Sequence, residues 1–332
     1  MTTSTTAGAG AASPDKARSR IDIGELFHRY GTFCIFVLLI IGAHFMSPAF
    51  LTERNIMNVL RQISGTGIMA VGMLLVILTR GIDLSVGSVS ALGSVLSAYL
   101  VATWSPEAST ALTVLAGAGC GLVTGILVAY LRLPAFVMTL AMMTAARGLS
   151  LIVSNGQPIL LGDSGQAFTD FGAGFLFGVP QPVILMFAVF IVGGVLLAFT
   201  KFGRIVKAIG SNEEAVRLSG LAVPRYVCAV YVISGALAAL AGIISTARAG
   251  VGSAQVGVGA ELAVIAAVVI GGASLMGGRG GVINTLLGAM VMGVISNIMN
   301  LGNVPGYHQQ VLMGAIIVIA VLLQHGTRWL RR

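Results

Sequence analysis

The chain has 332 residues, of which 56% are hydrophobic and only 9% charged, where a soluble globular protein is roughly a quarter charged. That composition excludes a water-soluble enzyme or binding module. The net charge of +8 follows the loops instead of forming one basic face, so it points to membrane orientation and not to a nucleic-acid partner.

Residues 1–30, MTTSTTAGAGAASPDKARSR onward, are small, polar and basic with no apolar core ahead of a cleavage site. They read as a cytosolic tail, not a signal peptide. Apolar segments follow at 31–47, 57–79, 84–102, 109–131, 134–153, 181–199, 227–247, 260–275, 282–300 and 308–324, most of them near the roughly 20 residues that span a bilayer. The fold class is therefore an all-α polytopic membrane protein of about ten transmembrane helices, with Arg147 marking 134–153 as a possible re-entrant segment. With the N-terminus inside, all of the 19 basic residues except Arg54, Arg61, Arg147 and Arg248 fall on the cytosolic side, which places both termini there by the positive-inside rule. The domain division is a tail at 1–30, a permease domain at 31–324 with a cytosolic loop at 201–226, and a second cytosolic tail at 325–332.

Gly117, Gly121 and Gly125 line one face of the fourth segment; such a seam lets two helix backbones approach closely, either within one chain or between two copies. Cys34, Cys120 and Cys228 are far apart and lack ligand spacing, so they read as small apolar packing residues.

Gly81-Ile-Asp83-Leu84-Ser85-Val86, continuing to Gly93, matches Gly259-Ala-Glu261-Leu262-Ala-Val264, continuing to Gly271. The first opens a helix at the cytosolic side and the second at the outer side, as in transporters built from two inverted halves of five helices each. Two roles are open for Asp83. It can accept amides at the start of the third helix, where the helix dipole favours a negative charge, or it can face a polar path together with Ser85. Arg147, Arg248 and Glu261 fall near the expected outer boundary, where snorkelling to headgroups is the default reading.

No phosphate loop occurs: Gly277-Gly278-Arg279-Gly280-Gly281 lacks the lysine and hydroxyl such a loop needs. His28, His44, His308 and His325 show no metal spacing, so no catalytic residue, metal or cofactor is expected. In the longest cytosolic connection, Lys201 to Arg225, Ser211 or Asn212 can cap a short helix with Glu213 and Glu214 in its first turn, Gly220 as its stop and Pro224 beyond.

Glu214-Ala215-Val216-Arg217-Leu218-Ser219-Gly220 resembles the Glu-Ala-Ala plus Gly motif of bacterial ABC importer permeases. AIGSNEEAVRLSG, AVGMLLVILTRGIDLSVGS and ELAVIAAVVIGGASLMGGRG resemble the monosaccharide permeases of the ribose, xylose, arabinose and galactose type, most closely the ribose members. Branched-chain amino-acid permeases, which are related, have a different string at GIDLSVGS. The resemblance implies a homodimeric inner-membrane permease that hydrolyses nothing itself. It also implies an ABC ATPase docked on the cytosolic side and a periplasmic sugar-binding protein on the other. Glu213, Glu214, Ala215, Arg217 and Gly220 would then form the coupling site, and a neutral sugar needs hydroxyl and amide partners more than charge. Asp83, Ser85, Ser88, Glu261, Asn297, Asn300 and Gln309 are the path candidates. Family members commonly carry an acid where this chain has Ala263, and GVGSAQVGVGAEL looks about two residues shorter than the ribose pattern, which leaves the sugar less defined than the class. The rival reading is an ion- or proton-coupled transporter that uses Asp83 or Glu261 and no ATPase.

Overall fold

The computed structural model describes residues 23–329. The first 22 residues of the expected N-terminal tail and the last three of the C-terminal tail lie outside the described residues. Thirteen α-helices make up almost all of the regular structure: α1 Ile23–Met46, α2 Glu53–Leu78, α3 Val86–Val101, α4 Pro106–Ala129, α5 Ala135–Ser154, α6 Gln166–Ala173, α7 Gln181–Phe199, α8 Lys201–Ser211, α9 Glu213–Leu218, α10 Val223–Ala249, α11 Ala260–Ile270, α12 Val282–Leu301 and α13 Gly306–Trp329. Six of them (α2, α4, α5, α7, α10 and α12) are long and apolar enough to cross a membrane, and α1, α3, α11 and α13 contribute shorter apolar stretches. The chain is a helical polytopic membrane protein.

The helix limits follow from local chemistry. At the start of α2, Thr52 Oγ1 accepts the Asn55 amide at 3.4 Å, and Ser105 does the same for Ala108 at 3.3 Å ahead of Pro106 in α4, so each helix starts with one of its free N–H groups satisfied. α5 runs unbroken through Arg147 and ends where Asn155 turns left-handed at φ +50°. α11 ends at Ile270, five residues short of the stretch expected from hydropathy, because Gly271-Gly272 follows with Gly272 at φ +81° and the chain turns back on itself.

α2 and α10 form the centre. Every residue of α2 from Gly67 to Leu78 is buried, the pattern of a helix covered on all sides. α10 packs along α2, α3 and α4. Since lipid is as apolar as a leucine side chain, these helices associate through close contact more than through the hydrophobic effect. At the α4–α10 crossing, a Cβ added to Gly121 would stand 2.1 Å from the Tyr231 carbonyl oxygen, and one on Gly117 would stand 2.5 Å from the Gly235 carbonyl. The glycine seam of α4 is thus filled by α10 of the same chain. Of the three cysteines, Cys228 is buried at this crossing, Cys120 is half-buried, Cys34 is exposed, and none is paired.

Four two-residue strands complete the structure. β1 (Ile159–Leu160), after α5, pairs antiparallel with β4 (Val251–Gly252), after α10, with Ile159 opposite Gly252. β2 (Phe175–Leu176) and β3 (Val179–Pro180) form a hairpin. These strands gather at the end of the bundle where α5 and α10 finish, while α8 and α9 lie at the opposite end, beside the end of α2.

Candidate coupling site and transport path

At the α8–α9 end, the short charged helix forms as its sequence dictates. Asn212 is its cap, with Oδ1 accepting the Ala215 amide at 3.0 Å, whereas the Ser211 hydroxyl donates back to the Lys207 carbonyl. Gly220 turns left-handed at φ +82° and stops it. Val216 packs with Ile209 and Val223 and is the only buried residue between Ser211 and Gly220. One apolar side chain therefore anchors a helix that presents Glu213, Glu214, Ala215, Arg217 and Leu218 to the outside. Arg217 donates to Glu214 at 2.7 Å, and that hydrogen bond, followed by the carboxylate's charge, raises the guanidinium's pKa. In water such an exposed pair contributes little to stability; it fixes which charges face outward.

Asp83 lies in the turn between α2 and α3 and is 2% exposed. Its Oδ1 accepts the Ser85 amide at 3.0 Å and the Ser85 hydroxyl at 2.6 Å, and its Oδ2 accepts the Ser234 hydroxyl of α10 at 2.8 Å. Ser85 is the N-cap of α3 but makes no side-chain cap of its own, because its hydroxyl is given to Asp83. The carboxylate thus closes an Asx-type turn ahead of α3 and ties that turn to α10. Sequence reasoning missed Ser234, which lies 151 residues away with nothing in its surroundings to mark it. It also missed Tyr231, whose hydroxyl is buried beside Gly81 without a hydrogen-bond partner among the described residues.

The two repeat strings meet. A Cβ on Gly87, two residues after Ser85, would stand 2.4 Å both from the Gly257 carbonyl oxygen and from Glu261 Oε2. Buried Ser88 follows in the same turn of α3. Glu261 is half-buried in the first turn of α11. Arg147 does not extend to a boundary: its Nη1 donates to the carbonyls of Ala254 and Val256, holding the 253–259 segment against α5, with Glu261 near enough to attract it. Arg248 is exposed in the last turn of α10.

The remaining path candidates lie elsewhere and have protein partners. Asn297 is buried and exchanges reciprocal amide hydrogen bonds with Asn55 at 2.9 and 3.0 Å, joining α12 to α2. Gln309 donates to Asn300 at 2.9 Å and to the Val304 carbonyl at 2.8 Å, bracing the α12–α13 turn. The structure therefore joins Asp83 to Ser85 and sets Glu261 against Gly87, the residue before Ser88, and leaves Asn297, Asn300 and Gln309 in two separate pairings. Among the described residues, no three His, Cys, Asp or Glu side chains are grouped as a metal site would require.

Comparison with known proteins extends along the same chain. Residues 55–321 match the family described as branched-chain amino acid transport system / permease component. The chain is 44% identical over 286 residues to the ribose import permease protein RbsC of Escherichia coli K12, covering 84% of this chain and 88% of that one. It is 40% identical over 307 residues to RbsC of Haemophilus influenzae, covering 92% and 95%, and 38% identical over 325 residues to the L-arabinose ABC transporter permease protein AraH of Azospirillum brasilense, covering 96% and 95%. No solved structure matches. A family match across most of the chain, with relatives of this identity along nearly their whole length, establishes that the chain belongs to this family of transport-system permease components.

Proposed function

We propose that this chain is the membrane subunit of an ATP-driven importer that carries a monosaccharide, ribose first among them, across the inner membrane by alternating access. The observation that carries the proposal is the match, over most of the chain, to permeases named for ribose and for L-arabinose import. The exposed, Asn212-capped α9 supports it, since a helix with one buried residue and a fixed charge pattern suits a docking element. Glu213, Glu214, Ala215, Arg217 and Gly220 would engage a separate ATPase subunit, a binding protein would deliver sugar at the opposite end, and two copies of the chain would enclose the path.

We infer ten membrane segments, with the termini, the 1–30 and 325–332 tails and the 201–226 loop on the cytosolic side. At 1.5 Å per residue, the 16 residues of α3 and the 11 of α11 rise about 24 and 16 Å, short of the roughly 30 Å of a bilayer core. The turns at 79–85 and 253–259 would supply the remaining depth, making these the broken helices on which a transport site is built. Asp83, Ser85, Ser88 and Glu261 would then border the path. Asn297, Asn300 and Gln309 are weaker choices because their amides are engaged by neighbours. Against an ion-coupled carrier, both oxygens of Asp83 are occupied by serine donors.

The sugar is tested by uptake of labelled ribose, other pentoses and hexoses into vesicles holding the complete importer. Preference for ribose supports the assignment; preference for another sugar keeps the importer and replaces its substrate.

A further inference from the structure

Arg80 follows the end of α2 with φ +68°, a left-handed conformation that carries a steric cost for any residue with a Cβ and none for glycine. The chain uses 45 glycines, yet an arginine stands here, so its side chain has a use that outweighs the strain. That use is visible. Arg80 Nε donates to the Gly210 carbonyl at 2.8 Å, and Nη2 donates to the Ser211 carbonyl at 2.9 Å. These are the last two residues of α8, immediately before the Asn212 cap of α9.

The surrounding backbone is interlocked at the same point. The Gly278 amide donates to the Leu78 carbonyl at 3.0 Å. A Cβ on Gly210 would collide with that Leu78 oxygen at 1.8 Å, and one on Gly277 would meet the Arg80 Cγ at 2.5 Å. The glycine cluster that cannot serve as a phosphate loop thus has a structural use: it lets three backbones, at 78–80, 210–211 and 277–278, touch. From Arg80 the chain runs directly into Gly81–Ser85, where Asp83 fastens the start of α3 and reaches Ser234 of α10.

We propose that Arg80 is the positioning residue that transmits movement of α9 into the membrane bundle, by joining the α8–α9 junction to the Asp83 turn. The inference rests on the importer reading, because only a chain driven from α9 needs such a link. Its two-pronged grip on successive carbonyls uses the planar fork of arginine, which lysine cannot reproduce. Arg80 is exposed and its bond to Ser211 lies at the surface, where water competes for it, while the bond to the buried Gly210 carbonyl is half-buried; the net contribution of the two to folding is about 1–2 kcal/mol. The link matters for transmitted force more than for resting stability.

The test uses the assembled importer in proteoliposomes: permease, ATPase and sugar-loaded binding protein. Arg80→Gly removes the guanidinium and relieves the backbone strain, which offsets the loss of the two hydrogen bonds, so it should fold about as well as the parent. We expect membrane abundance, ATPase co-purification and basal hydrolysis within about twofold of the parent, while stimulation of hydrolysis by the loaded binding protein and sugar uptake both fall about tenfold or more, the scale of a typical coupling free energy. Arg80→Lys should recover part of both. Stimulated hydrolysis and uptake at parental levels would overturn the proposal. So would a loss of uptake matched by an equal loss of ATPase co-purification, which would make Arg80 a mere support for the docking surface. Failure of the importer reading itself shows separately, as absence of ATP-dependent uptake by the unaltered protein.

Discussion

Replacing Asp83 distinguishes a hydrogen-bonding role from a charge role. Asp83→Ala removes the acceptor for three donors at a site 2% exposed: the Ser85 amide, the Ser85 hydroxyl and the Ser234 hydroxyl. The two hydroxyls can rotate toward backbone carbonyls of their own helices, but the Ser85 amide cannot. One orphaned amide costs about 1–3 kcal/mol. Two lost hydroxyl hydrogen bonds add about 1 kcal/mol each once the hydroxyls find substitutes, and removing the buried carboxylate gives back about 1 kcal/mol, so Asp83→Ala should destabilise by about 2–4 kcal/mol. Asp83→Asn keeps Oδ1 for both Ser85 donors, and its amide can donate to a rotated Ser234 hydroxyl. It gives up the extra strength of the charged acceptor and relieves the cost of burying a charge, leaving a net effect of about 1 kcal/mol or less. Thermal aggregation of detergent-solubilised protein, followed by size exclusion, separates the two. A large loss for alanine beside a small one for asparagine supports the account. Equal losses would refute it, because the charge and not the hydrogen-bond geometry would then hold the turn.

Three further perturbations address other parts of the structure. Glu214→Arg sets a cation beside Arg217 in place of its 2.7 Å partner; ATPase co-purification should be lost while membrane insertion is unchanged, and normal docking would remove α9 from the coupling site. Gly121→Val places a side chain where even a Cβ lies 2.1 Å from the Tyr231 carbonyl, so the monomer should lose about 3 kcal/mol or fail to fold, seen as a fall in aggregation temperature; a stable monomer that no longer dimerises would instead make the seam an interface between copies. Arg147→Met frees the carbonyls of Ala254 and Val256, and uptake should fall about tenfold at unchanged abundance; parental uptake would show that the 253–259 segment needs no tether.

Much of this was legible in the sequence because hydropathy and capping act locally. Each of the ten apolar stretches overlaps one helix, although α11 stops short of its stretch at Ile270, and α9 is capped by Asn212 and stopped at Gly220 as their chemistry requires. The acid-and-glycine repeat singles out two segments, and Glu261 of the second lies against Gly87 of the first. What was not legible depends on the third dimension. Arg147 looks like a boundary residue in a one-dimensional profile, yet it is held inside by carbonyls 107 and 109 residues away. Asn297 looks like a free amide until Asn55 meets it across 242 residues. Arg80 counts as one more cytosolic cation until its left-handed backbone and its grip on α8 are seen together. In each case the deciding partner is a backbone carbonyl or an unremarkable polar side chain, and neither has a spacing signature.

The central claim is that sugar moves inward at the expense of ATP hydrolysed by a docked subunit. It is tested most directly by uptake of labelled ribose into sealed vesicles containing the permease, with ATP, the ATPase and the binding protein each omitted in turn and with an imposed proton or sodium gradient as the alternative drive. The account predicts uptake only when all three are present and no response to either gradient. Gradient-driven uptake by the permease alone would contradict it.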